Sequence, residues 1–160
     1  MGVVILRPPL VYGPGLRANF LSMMRWLHRG VPLPLGGIDN RRSLIGVDNL
    51  VDLIVTGLHH SAAVNQTFLA SDGEDLSTPE LARRLAAVLG RKAHLLPIPQ
   101  AWLLFGGKIA GQGAAVARLC ASLQVDIGKT RDLLGWAPPV GIDDGLQGTA
   151  DWFLNSRSQR

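Results

Sequence analysis

Val3-Val4-Ile5-Leu6 followed by Arg7-Pro8-Pro9-Leu10-Val11-Tyr12-Gly13-Pro14-Gly15 is the stretch that decides the fold. An uninterrupted β-branched and aliphatic run of this kind is expected of a strand buried on both faces of a parallel sheet. Ligands of open α/β sheets gather at the carboxyl ends of the strands, so the Tyr12-Gly13-Pro14-Gly15 loop is a candidate site. Glycine and proline are also the commonest turn residues, and a loop tyrosine often does no more than pack. The strand needs neighbours, and the sequence offers few: residues 66–70, with 94–98 and 123–125 as weaker candidates.

Helical periodicity accounts for much of the rest. Phe20, Met23, Met24 and Leu27 recur at helical spacing across 19–29, and Gly30 and Pro32 supply the stop. Asp48 is placed to cap a helix whose stripe is Leu50, Leu53, Ile54 and Leu58 and whose end carries His59 and His60. Ser77-Thr78-Pro79-Glu80 reads as a capping box before Leu81, Leu85, Val88 and Leu89, with Gly90 as the stop. Two further helices are expected at 126–134, closed by Gly135, and at 143–154, separated by the Trp136-Ala137-Pro138-Pro139 turn.

With 160 residues, 47% of them hydrophobic, the chain is long enough to bury a core and fits a single domain over 1–160. Ten prolines and nineteen glycines imply many turns. The net charge of +4 suits an anionic partner, but the arginines are scattered, with no basic run or interleaved aromatics, and nucleic acid is not expected. The lone Cys120, among Ala117, Leu119 and Leu123, reads as a small buried hydrophobe in a cytoplasmic protein. No membrane span is expected, because the most apolar region, 101–123, is broken by Lys108, Gln112 and Arg118. His28, His59, His60 and His94 have no metal-ligand spacing with Cys120, and no metal site is expected. Gly106-Gly107-Lys108 lacks the remaining residues of a phosphate loop, and Gly111-Gln112-Gly113 lacks the third glycine of a dinucleotide fingerprint. Asp143 and Asp144 are read as acidic residues suited to a helix start.

A second segment, Arg41-Arg42-Ser43-Leu44-Ile45-Gly46-Val47-Asp48-Asn49-Leu50-Val51-Asp52, completes the pattern. Together with residues 7–15 it resembles the C-terminal half of the NAD-dependent nucleotide-sugar epimerases and dehydratases of the extended short-chain dehydrogenase family. The wording around Ala18-Asn19-Phe20 and Asn40-Arg41-Arg42-Ser43 is most like bacterial UDP-sugar 4-epimerases of surface-polysaccharide synthesis. The resemblance implies an α/β fold, helix-rich with a few short strands: a substrate-binding lobe that includes the last strands of a Rossmann-type sheet whose N-terminal half is missing.

The resemblance also implies roles. Arg42 matches the arginine of the family's Arg-x-x-x-x-Val-x-Asp/Asn-Leu pattern and would pair with the substrate diphosphate, its planar fork making charge-assisted bonds to phosphate. Asn19 and Phe20 would lie at a helix start near the diphosphate, where free N–H groups favour anions. Leu33 and Leu35, in Gly30-Val31-Pro32-Leu33-Pro34-Leu35-Gly36, would pack on the nucleotide base, although a proline-rich segment that merely covers the core explains the same residues. Arg118 is a weaker candidate for a second phosphate contact. Pro9 and Tyr12 would face the cofactor, while Leu10 stands where many members have an asparagine.

The family's glycine-rich NAD loop and Tyr-x-x-x-Lys pair have no counterpart, since Tyr12 is the sole tyrosine and Leu16 stands four residues on. The expected function is therefore UDP-sugar binding for 4-epimerisation, with NAD used by the parent enzyme but not held by this chain, which is inactive alone and monomeric or weakly self-associating. The alternatives are part of a nucleotide-sugar dehydratase or reductase, or a non-catalytic interaction module.

Overall fold

A computed structural model of the chain describes residues 2–15 and 18–158, the side chains of 18, 19, 157 and 158 lying outside that description. In chain order the elements are β1 (Val4–Arg7), β2 (Leu10–Tyr12), α1 (Ala18–His28), β3 (Arg42–Gly46), α2 (Val47–His59), a 3-10 turn (Ser61–Ala63), β4 (Gln66–Leu69), β5 (Asp75–Leu76), α3 (Thr78–Val88), α4 (Gln100–Ile109), α5 (Gly113–Cys120), α6 (Gly128–Leu134) and α7 (Ile142–Ser158). This is the helix-rich α/β class with short strands that the sequence implies. The chain divides into two compact units: Met1–Gly15 with Ser43–Asp75 and Gln124–Arg160, and Leu16–Arg42 with Leu76–Leu123. No helix among the described residues is long and apolar enough to cross a membrane.

In the first unit β1 pairs in parallel with β4, Val4 opposite Gln66 and Arg7 opposite Leu69, so the partner expected at 66–70 is found. β2 pairs in parallel with β3, Leu10 opposite Leu44 and Tyr12 opposite Gly46, and β5 lies on the other side of β3. The expectation of two-faced burial for β1 is corrected. Val4 and Leu6 are half-buried against the core while Val3 and Ile5 are exposed, because among the described residues only the face that carries Val4 and Leu6 is packed. The core is formed by Ile45, Leu53, Ala63, Phe68, Ala70, Ile127, Leu134 and Trp136. In α7, Ile142, Leu146, Ala150 and Phe153 recur every three or four residues and are all buried.

α2 corrects the sequence reading twice. It starts at Val47, with Gly46 as N-cap and no side-chain cap, so Asp48 sits inside the first turn instead of preceding it. Its buried residues are Asn49, Leu53 and Gly57, whereas Ile54 and Leu58 of the expected stripe are exposed. Gly57 lies over β1, where a Cβ would make ordinary contact with Val4 Cγ1 at 3.6 Å.

The second unit is held by α1 against α3, with Phe20, Met24, Leu27, Leu81, Leu85 and Leu89 buried. The Ser77 signal is met: its hydroxyl accepts a bond from the Glu80 N–H at 3.2 Å, while the Glu80 carboxylate turns to Arg84 at 2.9 Å. Gly30 and Gly90 both take positive φ after their helices, as their stop roles require. α4 and α5 were not expected, because residues 100–120 carry little polar punctuation. The two pack tightly: a Cβ on Gly107 would stand 2.8 Å from Val116 Cγ2, which accounts for a glycine at this position without any phosphate role. The segment at 94–98 contributes bridges from Leu95 to Leu33 and from Pro99 to Gly37, not a strand.

Candidate functional site

Within the first unit, the ends of β2 and β3 and the start of α2 converge on one carboxylate. Asp72 accepts the Tyr12 hydroxyl at 2.6 Å, the Gly46 N–H at 3.0 and 3.1 Å on its two oxygens, and the Asn49 side-chain amide at 2.7 Å. Asn49 also donates to the Val140 carbonyl at 2.8 Å and accepts the Val140 N–H at 2.9 Å, tying α2 to the turn before α7. Such a network, satisfied on every side, fixes one arrangement of the strand ends. Neither Asn49 nor Asp72 was singled out as a functional residue from sequence. Asn49 lies in the quoted 41–52 pattern, but its partner is separated from it by a strand and a turn, a relation no local spacing reveals.

Tyr12 is 1% exposed. Burial, then the Asp72 hydrogen bond and its negative charge, push its phenol well above the ordinary range. Because Tyr12 is the single tyrosine, phenolate absorbance reads this group alone. A folded-state pKa raised above the unfolded value of about 10 leaves stability intact below that pH and erodes it above. The expected result is no phenolate signal in the folded chain through about pH 10. Above that pH ionisation coincides with loss of far-ultraviolet circular dichroism, and ordinary titration near pH 10 without unfolding would contradict the burial.

A small pocket adjoins Tyr12, lined by Gly13, Pro14, Gly46, Val47, Asp144 and Gly148 among others, with a volume of about 60 Å³. Ligand pockets usually reach about 300–1,000 Å³. Gly13 has φ +149, and a Cβ there would collide with Val47 Cγ1. Gly13→Ala should therefore cost about 1–3 kcal/mol in urea unfolding, and an unchanged midpoint would show that the loop is free to move away.

The second unit brings together the two arginines proposed for phosphate. Arg42 donates from Nη1 to the Arg118 carbonyl at 2.9 Å, and its Nε is buried with no hydrogen-bond partner among the described residues. Arg118 is exposed and donates from Nε to the Ala114 carbonyl at 3.1 Å. The two segments that carry them, 40–42 and 118–123, are zipped together. Buried Asn40 donates to Thr78 Oγ1 at 3.0 Å and to the carbonyls of Leu119 and Ala121 at 3.1 and 3.2 Å, and accepts the Thr78 N–H at 2.8 Å. The Arg41 N–H meets Ser122 Oγ at 3.1 Å, and Leu123 N–H meets the Arg41 carbonyl at 2.9 Å. The expected proximity of residue 123 to a strand is thus a bridge to Arg42.

The remaining candidates are less open. Phe20, Leu33 and Leu35 are all buried within the second unit, with Leu33 bonded through its backbone to His94 and Leu96, so as placed they cover its core. Asn19 falls in the first turn of α1, and its side chain lies outside the described residues. Pro9 is half-buried between β1 and β2 of the first unit. Among the described residues no cluster of His, Cys, Asp and Glu could hold a metal ion, and Cys120 is a buried free thiol.

No family model matches the chain. A curated UDP-glucose 4-epimerase of Vibrio cholerae is 48% identical over 160 residues, which cover 99% of this chain and 49% of that protein. The chain is homologous to the C-terminal half of UDP-sugar 4-epimerases. It spans about half the length of the curated relatives it matches. In fold it is similar to a UDP-glucuronic acid 4-epimerase of Bacillus cereus solved with NAD, at TM-score 0.72 and 20% identity over 98% of this chain and 46% of that one. A Bordetella bronchiseptica enzyme solved with NAD and UDP gives 0.70 and 20% over 97% and 45%. At that identity the solved structures speak for the fold alone, which matches about half of each of those enzymes.

Proposed function

We propose that this chain is the UDP-sugar-binding half of an NAD-dependent 4-epimerase, with Arg42 and Arg118 holding the diphosphate. The observation that carries the reading is the arginine pair. The Arg42 guanidinium is held at the Arg118 backbone, beside the end of α5 that Asn40 ties down. Among the described residues neither arginine pairs with a carboxylate, and one Nε–H is buried without a partner. A buried, unspent donor is costly unless a ligand accepts from it, and diphosphate oxygens match the guanidinium fork.

A dinucleotide fits these residues poorly. The pocket beside Tyr12 is far too small, and the Tyr12 hydroxyl is already bonded to Asp72. NAD therefore belongs to the rest of the parent enzyme in this proposal, and Pro9 and Tyr12 contribute by shaping the strand ends. The chain's own residues bind and orient the nucleotide. A reducing cytoplasmic setting suits the free thiol of Cys120.

Incubating the pure chain with NAD and UDP-glucose or UDP-N-acetylglucosamine should give no epimer while UDP still binds. Turnover that survives Tyr12→Phe and Arg42→Ala would overturn the proposal. Dehydratase or reductase chemistry keeps the same binding role and is separated by product analysis of the parent enzyme. Failure to bind any nucleoside diphosphate would favour an interaction module.

A further inference from the structure

α4 is apolar on both sides. Its inward face is Leu103, Leu104 and Gly107, half-buried or buried against α5. Its opposite face is Trp102, Phe105 and Ile109, which are 71%, 62% and 74% exposed. Their i, i+3, i+7 spacing puts all three on one stripe, and Lys108 is exposed beside them. Bulky apolar residues aligned in this way on an outward helix face mark an interaction surface more than ordinary exposure does.

Charge says what the stripe meets. The unit that carries α4 has eleven basic and two acidic residues, a formal +9, whereas the other unit has five basic and ten acidic, a formal −5. Residues 81–125 contain no Asp or Glu at all, and Arg83, Arg91, Lys92, Lys108 and Arg118 within them are exposed. The chain has a second exposed apolar stripe, Val51, Ile54, Val55 and Leu58 on α2, but that one lies in the acidic unit beside Asp48 and Asp52 and has no such complement.

We propose that the outward face of α4 docks on an anionic lipid bilayer, Trp102, Phe105 and Ile109 entering the headgroup boundary while the basic charge of the unit holds it there. A helix with aromatic and aliphatic residues on one face and lysine at its flank lies in such an interface, with binding set by apolar burial and attraction to anionic lipid together. The surface differs from the Arg42–Arg118 pair, and the inference stands whether or not that pair binds UDP.

The test is sedimentation of the full chain with phosphatidylglycerol-containing vesicles and with pure phosphatidylcholine vesicles. The Trp102→Ser/Phe105→Ser double variant and a Lys108→Glu/Arg91→Glu variant are compared, each checked for wild-type circular dichroism. The wild type should bind the anionic vesicles and largely ignore the neutral ones. Its partitioning should fall about tenfold or more in the serine variant. It should also fall several-fold in the charge-reversed variant, and strongly between about 0.1 M and about 1 M salt, where the screening length drops from about 10 to 3 Å. Equal binding to both vesicle types, or equal partitioning of wild type and serine variant, overturns the proposal. So does a wild type that ignores vesicles but loses self-association when the serines are introduced, which would give the stripe to a second copy of the chain.

Discussion

Asp72→Ala should lower the stability of the chain by about 3–5 kcal/mol, the largest effect of any single polar substitution expected here. The carboxylate serves the Tyr12 hydroxyl, the Gly46 N–H and the Asn49 amide at once, and its loss strands all three at a largely buried strand end. Each orphaned buried donor costs about 1–3 kcal/mol, reduced where a second acceptor remains. Asn49 keeps the Val140 carbonyl, and Tyr12 has the Ile142 carbonyl at 3.4 Å, so the sum falls short of three full penalties. Tyr12→Phe, which removes one donor and leaves the carboxylate two partners, should cost only about 1–2 kcal/mol. Urea unfolding measures both, and equal midpoints for Asp72→Ala and wild type would show that the hub holds nothing together.

Arg42→Ala should weaken UDP binding by about 10–100-fold, the worth of a charge-assisted, forked phosphate contact of about 1.5–3 kcal/mol. Arg42→Lys should recover only part of that, because an ammonium keeps the charge but not the planar fork. Arg118→Ala is expected to have a smaller effect, since that side chain is exposed and solvent-screened. The order of the three variants carries the information. A loss common to any removed cation would fall equally on Arg118 and Arg42, whereas a shaped diphosphate site ranks Arg42→Ala worst, Arg42→Lys next and Arg118→Ala least. Calorimetry with UDP, at one salt concentration throughout, gives the ranking.

What was legible in the sequence was whatever a local rule controls. The Ser77 cap, the positive-φ glycines at 30, 90 and 135, and the apolar spacing of α1, α3 and α7 each depend on neighbours within a turn or two. What failed depends on distant chain. Asp48 looks like a cap, but β3 runs straight into α2, and the carboxylate that meets the Gly46 N–H is Asp72 from beyond β4. A run of aliphatic residues made β1 look buried on both faces, and only the alternation of half-buried Val4 and Leu6 with exposed Val3 and Ile5 shows that one face is packed. Residues 100–120 read as unpunctuated apolar sequence, and the α4–α5 pair emerges from the contact of Gly107 with Val116.

The candidate site divides the same way. Arg42 stood out because its residue type and register match a pattern, and Arg118 was weaker because its local spacing does not; it sits in the last turn of α5, whose end is tied down by Asn40, far away in sequence. Tyr12 was expected at a cofactor, and its hydroxyl is bonded to Asp72. Leu33 and Leu35 were expected at a nucleotide base, and both are buried, a choice the proline-rich sequence leaves open.

The most direct measurement is an NMR titration of the chain with UDP, with uridine as the control that lacks phosphate. Saturable shifts with UDP are expected at Arg42, Arg118 and the Asn40–Arg41 backbone, absent with uridine and lost in Arg42→Ala. A well-dispersed spectrum in which UDP moves nothing at those residues, or moves them equally in Arg42→Ala, would contradict the proposed diphosphate site.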